Sequence, residues 1–197
     1  MSGGVYFKVG NFAKSIEDFN KSIELNPRDV YSYCERGRAY SQFGDFDKAI
    51  DDFSKAIELY PQIAFLYNRR GIAYEDNGEP ACAIEDYNEA IRLKPNYADP
   101  YYNRALAHCK FEQYQNAIKD FSKYIALKPD STDAYHYRGI TFYVQGKDGL
   151  GFRDAQKACA LGNCELLEYA KSKRDTATDL AGSLKLIICG NPPKHLS

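Results

Sequence analysis

Four prolines recur along the chain at a constant interval of 34 residues, and much of the sequence between them repeats as well. Aligned on this interval, the chain has a column of arginine (Arg36, Arg70, Arg104 and Arg138) and a column of aspartate (Asp18, Asp52, Asp86, Asp120 and Asp154). Further columns hold tyrosine (Tyr33, Tyr67, Tyr101 and Tyr135) and the prolines themselves (Pro27, Pro61, Pro95 and Pro129). A fixed period of this length is typical of stacked repeats, in which each unit packs on its neighbours. Such proteins usually act through an extended surface rather than a buried pocket.

Each period predicts two amphipathic helices joined by a tight turn. In the second unit the helices are predicted over residues 29–43 and 46–59, with Gly44 and Asp45 between them. Asp29 suits the start of the first helix because its carboxylate can accept hydrogen bonds from free backbone amides. Gly44 suits the left-handed conformation that commonly ends a helix. Proline then stops the second helix, since it disfavours helical geometry in the residue before it.

Small and aromatic residues also recur at fixed positions within each unit. The second unit has Tyr33, Gly37, Tyr40, Ala49, Phe53, Ala56 and Pro61, and the third has Tyr67, Gly71, Tyr74, Ala83, Tyr87, Ala90 and Pro95. This pattern resembles the tetratricopeptide repeat. The resemblance implies an all-α fold, a right-handed α-solenoid of stacked helix-turn-helix repeats with a C-terminal capping helix. It also implies that the first helices line a concave groove.

The period predicts the domain organisation. Residues 1–162 form the repeat domain, with a truncated first repeat at 1–28, repeats at 29–62, 63–96 and 97–130, and a degenerate repeat at 131–162. Residues 163–174 are predicted as a capping helix, of the kind that a solenoid needs to cover its last apolar face. Residues 175–197 form a C-terminal helix and tail.

The arginine column requires an explanation, because the family that the chain resembles commonly has leucine there. Every arginine in it has an aspartate 16 residues later and another 18 residues earlier. We interpret the columns as an ion-pair ladder between first and second helices, since guanidinium stays charged and binds a carboxylate through two parallel hydrogen bonds. The alternative is a row of arginines that binds acidic ligands, which requires these side chains to point into the groove.

The resemblance implies which first-helix columns face the groove. Mapped onto this chain, the candidate binding residues are Tyr31, Arg38, Phe65, Asn68, Arg69, Ile72, Tyr102, Asn103, Leu106, Lys110, His136, Tyr137, Ile140 and Tyr143. Tyrosine and arginine are enriched at binding hot spots. We therefore expect a non-enzymatic adaptor or scaffold that binds a protein or peptide ligand of basic or mixed charge in this groove. The alternative is a groove that is unused or covered by the protein itself.

One subtype of the family can be tested at this stage. Its co-chaperone members clamp a C-terminal carboxylate with lysine, asparagine and arginine at set first-helix columns. In this chain only Asn103 fits its role, whichever unit the alignment starts from. We therefore do not expect a clamp for chaperone tails.

The aperiodic tail is the second candidate for function. Residues 176–189 place their apolar side chains near one helical face: Leu180, Leu184, Ile187 and Ile188. Such a helix can pack on the last repeat, lie in the groove of its own chain, or join another copy. The third arrangement makes the rival function a self-associating module that forms a homo-oligomer through its C-terminal helix.

Composition and charge argue against several other classes of function. The formal net charge is −1 and no basic stripe is present, so we expect no nucleic-acid partner. We expect no membrane partner, because no run of residues is apolar enough to span a bilayer. The N-terminal residues lack the pattern of a secretory signal, which favours a cytoplasmic location.

Catalysis has little support in the sequence. The histidines His108, His136 and His195 are far apart in the pattern, and no phosphate loop or metal-ligand spacing occurs, so we expect no enzyme activity, cofactor or metal. His108 falls in a tyrosine column and is interpreted as a packed substitute. The cysteines form no Cys-x-x-Cys pair and are expected to be free thiols.

Overall fold

Helical hairpins make up the part of the chain that the structure describes. The computed structural model describes residues 12–174 and 184–185, and no strand occurs within those ranges. The helices are α1 (Phe12–Leu25), α2 (Val30–Phe43), α3 (Phe46–Leu59), α4 (Ala64–Asp76), α5 (Pro80–Leu93), α6 (Asp99–Lys110), α7 (Tyr114–Leu127), α8 (Thr132–Val144), α9 (Asp148–Ala160) and α10 (Glu165–Arg174). The predicted all-α fold is confirmed. Residues 1–11 of the predicted truncated first repeat, and most of the predicted helix over 176–189, lie outside the described residues.

The capping signals in the sequence act as predicted. Asp29 accepts a hydrogen bond from the backbone N–H of Tyr31 at 3.2 Å and begins α2. Gly44 ends that helix with φ 88°, in the left-handed region that glycine adopts without a steric penalty. Each second helix before a column proline ends two residues ahead of it, at Leu25, Leu59, Leu93 and Leu127.

One turn breaks the glycine pattern. Glu112 has φ 57° and occupies the column that holds Gly44, Gly78 and Gly146 in the other units. A side chain with a Cβ atom is disfavoured in this left-handed conformation. The fourth repeat therefore has a glutamate at a turn position where its neighbours have glycine.

The chain divides after Pro100 into two compact units, which we call unit 1 and unit 2. In unit 1, α2 packs on α3, α3 on α4, and α4 on α5. Its core includes Tyr33, Cys34, Ala49, Phe53, Ala56, Ile57, Leu66 and Ala73.

In unit 2, α7 packs on α8 and α8 packs on α9. Helix α10 contacts both α8 and α9, and lies within the span predicted for the capping helix. The buried residues form one group, the unit 2 cluster: Ala105, Leu106, Cys109, Ala117, Phe121, Tyr137, Ile140, Tyr143, Ala155, Leu166, Ala170 and Leu184.

Glycine allows the two helices of a repeat to approach closely. A Cβ atom added to Gly71 of α4 would lie 2.6 Å from Cε1 of Tyr87 on α5. Tyr87 is fully buried, so its ring has little room to move away. The small-residue column thus sets the distance between the first and second helices of this repeat.

The column arginines connect first helices to second helices, both within a repeat and between successive repeats. Arg70 of α4 donates from Nε and Nη2 to the two carboxylate oxygens of Asp86 on α5, at 2.8 and 2.7 Å. Its Nη1 donates to the hydroxyl of Ser54 on α3 at 3.0 Å. The same pair of hydrogen bonds to an aspartate joins Arg36 to Asp52, Arg104 to Asp120 and Arg138 to Asp154.

The predicted ladder between first and second helices is confirmed, with one difference. Among the described residues, Arg36, Arg70 and Arg138 make no hydrogen bond to the aspartate 18 positions earlier, in the preceding second helix. Each binds an amide or hydroxyl side chain 16 positions earlier, in the pairs Arg36–Asn20, Arg70–Ser54 and Arg138–Ser122. These arginines therefore point between helices, and the alternative of an arginine row that binds ligands is not supported.

Aromatic rings flank each of these guanidinium groups. The Cζ atom of Arg70 lies 5.8 Å from the ring centroids of both Tyr67 and Tyr74. Equivalent pairs of rings flank Arg36 and Arg138 at 5.6–5.9 Å. Such cation–π contacts stabilise an arginine that is partly withdrawn from water. Two columns that the sequence suggested only as packing residues thus also help to hold the arginine.

His108 takes the position of the second of these rings in the fourth repeat. It is half-buried, and its Nδ1 lies 2.7 Å from Oε1 of Gln113. The structure agrees with its interpretation as a packed substitute for tyrosine.

The expectation of free thiols is wrong for two cysteines. Cys159 and Cys164 form a disulfide, whereas Cys34, Cys82 and Cys109 are free. Gly162, with φ 110°, turns the chain between α9 and α10 and brings the two cysteines together. Their separation of five residues matches no common cysteine motif, so the sequence pattern gave no sign of the pair.

We predict that Gly71→Ala destabilises the protein by about 1–3 kcal/mol, because the added methyl group overpacks the contact with Tyr87. The matched control is Gly149→Ala in α9, where an added Cβ meets nothing within 4 Å. That change should leave stability unchanged or raise it by up to about 1 kcal/mol. Urea unfolding of both variants measures the difference, and equal stability for the two would contradict the close approach.

Candidate peptide-binding surface

In unit 1 the candidate residues lie on the first helices α2 and α4. Tyr31 is 60% exposed and Phe65 is 36% exposed, so both aromatic side chains reach solvent. Ile72 is half-buried. We call this region the unit 1 surface, and it comprises Tyr31, Cys34, Glu35, Arg38, Phe65, Arg69 and Ile72. Exposed aromatic rings offer a partner a large apolar area to bury.

Two arginines contribute positive charge to the unit 1 surface. Arg38 forms an ion pair with Glu35 on the same helix, with a nitrogen–oxygen distance of 2.9 Å. The guanidinium carbon of Arg69 lies 4.8 Å from the ring centroid of Phe65. The Nε atom of Arg69 is buried and has no hydrogen-bond partner among the described residues. Their contacts differ from those of the ladder arginines, since Arg38 pairs with a glutamate of its own helix and Arg69 lies against the ring of Phe65.

The buried thiol of Cys34 responds to charges from both helices. Burial and the nearby carboxylate of Glu35 raise the pKa of Cys34 to about 11. The positive charges of Arg38 on α2 and Arg69 on α4 oppose this rise. The Cys34 thiol is therefore within electrostatic reach of arginines on two first helices of unit 1.

Some residues in the predicted columns belong to the framework. Asn68 is buried, and its Nδ2 donates to the hydroxyl of Tyr97 at 3.3 Å. Glu75 accepts a hydrogen bond from the hydroxyl of Tyr87 at 2.7 Å. Both side chains thus contribute bonds within unit 1 and are less accessible to a ligand than Tyr31 or Phe65.

In unit 2 the candidate residues lie on α6 and α8, and we call this region the unit 2 surface. It comprises Tyr102, Asn103, Leu106, Lys110, His136, Tyr137, Ile140 and Tyr143. The ring of Tyr102 lies 5.1 Å from that of Tyr124 and 6.2 Å from that of Tyr137, between centroids. Burial raises the pKa of Tyr102 above its usual value and that of Tyr137 to about 12. Both phenols therefore stay protonated at neutral pH.

The unit 2 surface is largely covered. Leu106, Ile140 and Tyr143 belong to the unit 2 cluster, and so does Leu184 from the C-terminal segment. Asn103 is buried, whereas Lys110 and His136 are half-buried. The residues predicted to bind a ligand in this unit are thus mostly withdrawn from solvent.

Two residues near this surface were not among the sequence-derived candidates. Lys185 forms an ion pair with Glu112 of the α6–α7 turn, at 2.9 Å between Nζ and Oε1. Glu112 was detectable in principle because it interrupts the glycine column. Lys185 was not, since it lies outside the repeat and follows no period.

Neither surface contains an arrangement for metal chemistry. Within residues 12–174 and 184–185, no group of three or more histidine, cysteine, aspartate and glutamate side chains is placed to hold a metal ion. In the same part of the chain, no helix has both the length and the apolar character required to cross a membrane. The chemistry available is that of contact: aromatic rings, paired charges and amide groups.

Protein-family models match most of the repeats. A tetratricopeptide repeat model matches residues 30–63, and another matches residues 98–131. A model described as a TPR repeat matches residues 3–44 and 81–111. The chain therefore belongs to the tetratricopeptide repeat family, whose members are in general non-enzymatic scaffolds for protein interaction.

Solved structures of the family resemble this chain over most of its length. A crystal structure of MamA is 26% identical, with a TM-score of 0.75, and the match covers 88% of this chain and 96% of that one. YrrB, described as a TPR protein with an unusual peptide-binding site, is 18% identical with a TM-score of 0.72 and coverages of 86% and 88%. At this identity YrrB supports the helical-repeat fold alone.

A shorter match has a bound peptide. The first TPR of Spaghetti (RPAP3), bound to the HSP90 peptide SRMEEVD, is 26% identical with a TM-score of 0.58. The match covers 59% of this chain and 93% of that one. No curated protein shows a significant sequence match to this chain.

We predict that stability falls on acidification partly because of His136. Burial lowers the pKa of His136 below its usual value, although the carboxylates of Glu165 and Asp133 oppose this. The unfolded chain therefore binds the proton more readily, and stability is lost as the pH falls below about 6.5 toward the lowered pKa. Urea unfolding at pH 8 and pH 5.5 should show a smaller pH effect in His136→Gln than in the wild type. An identical pH effect in both proteins would contradict this role of His136.

Proposed function

We propose that the protein is an adaptor that binds a peptide or an extended protein segment on its first-helix surfaces, with the unit 1 surface as the accessible site. The observation that carries this proposal is the exposure of Tyr31 and Phe65 on neighbouring first helices. Both side chains lie in one column, which the family resemblance assigns to the groove. Exposed aromatic residues that share a helix face are typical of binding surfaces.

The charges of the unit 1 surface favour a ligand of mixed character. Arg38 and Arg69 provide donors, and the half-buried Glu35 provides an acceptor. An extended backbone supplies both carbonyl and N–H groups, so it can bond to either kind of side chain. An apolar ligand side chain against Phe65 would add buried area to these polar contacts.

The comparisons support the class of ligand but not its identity. The Spaghetti repeat shows that a relative at 26% identity binds a short peptide. The clamp columns for a chaperone tail are not reproduced here, since only Asn103 fits, and Asn103 is buried. We therefore propose peptide recognition by the aromatic and arginine residues of the unit 1 surface rather than by a carboxylate clamp.

Self-association through the C-terminal helix remains a prediction. The part of that helix that the structure describes, Leu184 and Lys185, packs within unit 2 of the same chain. This packing favours the intramolecular arrangement over exchange between copies. The adaptor function is accordingly the one that we propose.

We predict that Phe65→Ala and Tyr31→Ala each weaken peptide binding at least about ten-fold, because aromatic hot spots contribute about 2 kcal/mol or more. Peptides selected from a displayed random library on the wild-type protein would be labelled and titrated by fluorescence anisotropy. The matched control is Tyr60→Ala, which removes a 48% exposed tyrosine at the end of α3 and outside both surfaces. Selected peptides that bind all of these variants equally would rule out the unit 1 surface as the site.

A further inference from the structure

The C-terminal segment lies where a ligand of unit 2 is expected. Leu184 is only 1% exposed and belongs to the unit 2 cluster. That cluster includes Leu106, Ile140 and Tyr143, which the family resemblance assigns to the groove columns of α6 and α8. A side chain from outside the repeat thus adds to the apolar group that the first helices form.

The same columns differ between the two units. Ile72 of unit 1 is half-buried, whereas Ile140 of unit 2, in the same column, has no exposed surface. One neighbouring column behaves alike. Glu35 and Arg69 of unit 1 are half-buried, whereas Asn103 and Tyr137 of unit 2, in the same column, are buried. Unit 2 differs in having α10 and Leu184 in its cluster. The repeat pattern alone therefore does not explain why the unit 2 surface is less exposed to solvent than the unit 1 surface.

A charge pair lies beside the apolar contact. Lys185 binds Glu112 at 2.9 Å, and both side chains are about half exposed. An exposed ion pair adds little affinity. The ion pair contributes specificity instead: the carboxylate of Glu112 favours a positively charged residue directly after Leu184. The other units have glycine at this turn position and so lack the carboxylate.

We propose that Leu184 and Lys185 act as an intramolecular ligand of the unit 2 surface, and that the external partner of this surface is a segment in which a basic residue follows an aliphatic one. This inference rests on the proposed function, because it treats the first helices as a peptide-binding surface. The tail raises its own local concentration by being attached to the chain. An external segment must therefore compete with it, and unit 2 binds a partner only when the tail is displaced.

The test uses a fluorescein-labelled peptide with the chain's own residues 176–189, in which serine replaces Cys189. It is titrated by anisotropy into the full-length wild type, into Leu184→Asp and into Leu150→Asp. Leu150 is an exposed leucine of α9 and serves as the matched control. We expect Leu184→Asp to bind the peptide at least ten-fold more tightly than the other two proteins. A peptide with aspartate at position 184 should bind none of them.

A second variant separates displacement from loss of folding. Lys185→Glu breaks the ion pair at an exposed position and should raise the affinity for the labelled peptide about two- to five-fold, the range expected for an exposed pair. Circular dichroism and sedimentation verify that each variant is folded and monomeric. If Leu184→Asp unfolds and Lys185→Glu gains no affinity, Leu184 is a core residue and the inference is overturned. Equal affinity in the wild type and in a folded Leu184→Asp also overturns it, as does a wild type that dimerises through the tail.

Cysteine alkylation gives an independent readout on the full chain. Cys109 is fully buried within the unit 2 cluster, whereas Cys34 is buried in unit 1. Peptide mapping after iodoacetamide treatment should show faster labelling of Cys109 in Leu184→Asp, with Cys34 unchanged. Failure here, with peptide binding still lost in Phe65→Ala, would reject the intramolecular ligand and leave the proposed function intact. If Cys109 is labelled faster in Leu184→Asp but Phe65→Ala binds selected peptides as well as the wild type, the unit 1 site is rejected and the intramolecular ligand stands.

Discussion

The contact that orders this fold is made by the arginine column of the first helices. Arg36, Arg70 and Arg138 each bond to two second helices at once. Arg70 joins α4 to Asp86 of the same repeat and to Ser54 of the preceding one. Burial raises the pKa of Asp86, while the hydrogen bonds from Arg70 oppose that rise. Much of the Coulombic gain is therefore offset by desolvation, and the pair contributes more to the register of the helices than to net stability. The flanking tyrosines and the glycine at the crossing fix the same geometry from either side.

This bracing separates the framework from the binding surface. The ladder arginines point between helices, whereas Arg38 and Arg69 lie among the groove columns and have other partners. Residues of one chemical type thus have different roles according to their position within the period. Residues on the other side of the first helices vary between repeats. One column, for example, holds Arg38 and Ile72 in unit 1 and Leu106 and Ile140 in unit 2.

The sequence predicted what repeats and failed on what does not. An arginine with an aspartate 16 positions later recurs in four units, so the Arg–Asp pairs could be predicted from the columns. The helix ends at Gly44 and Leu59 could be predicted from the glycine and proline columns in the same way. The partners Asn20 and Ser54 were missed because their side chains differ between repeats, although their position is constant. The disulfide, the left-handed Glu112 and the burial of Leu184 each occur once in the part of the chain that the structure describes. The solvent exposure of the candidate site depends on such single contacts. The column of Ile72 and Ile140 is therefore half-buried in unit 1 and buried in unit 2.

The most direct test of the bracing is a double-mutant cycle in urea unfolding with Arg70→Leu, Asp86→Ala and the two combined. Either single change leaves a buried polar group without its partner and should cost about 2–4 kcal/mol. If the pair acts as one unit, the double variant costs less than the sum of the singles by at least about 1 kcal/mol. Strictly additive losses would show that Arg70 and Asp86 stabilise the fold independently, and that the Arg–Asp pair does not brace the two helices of the repeat.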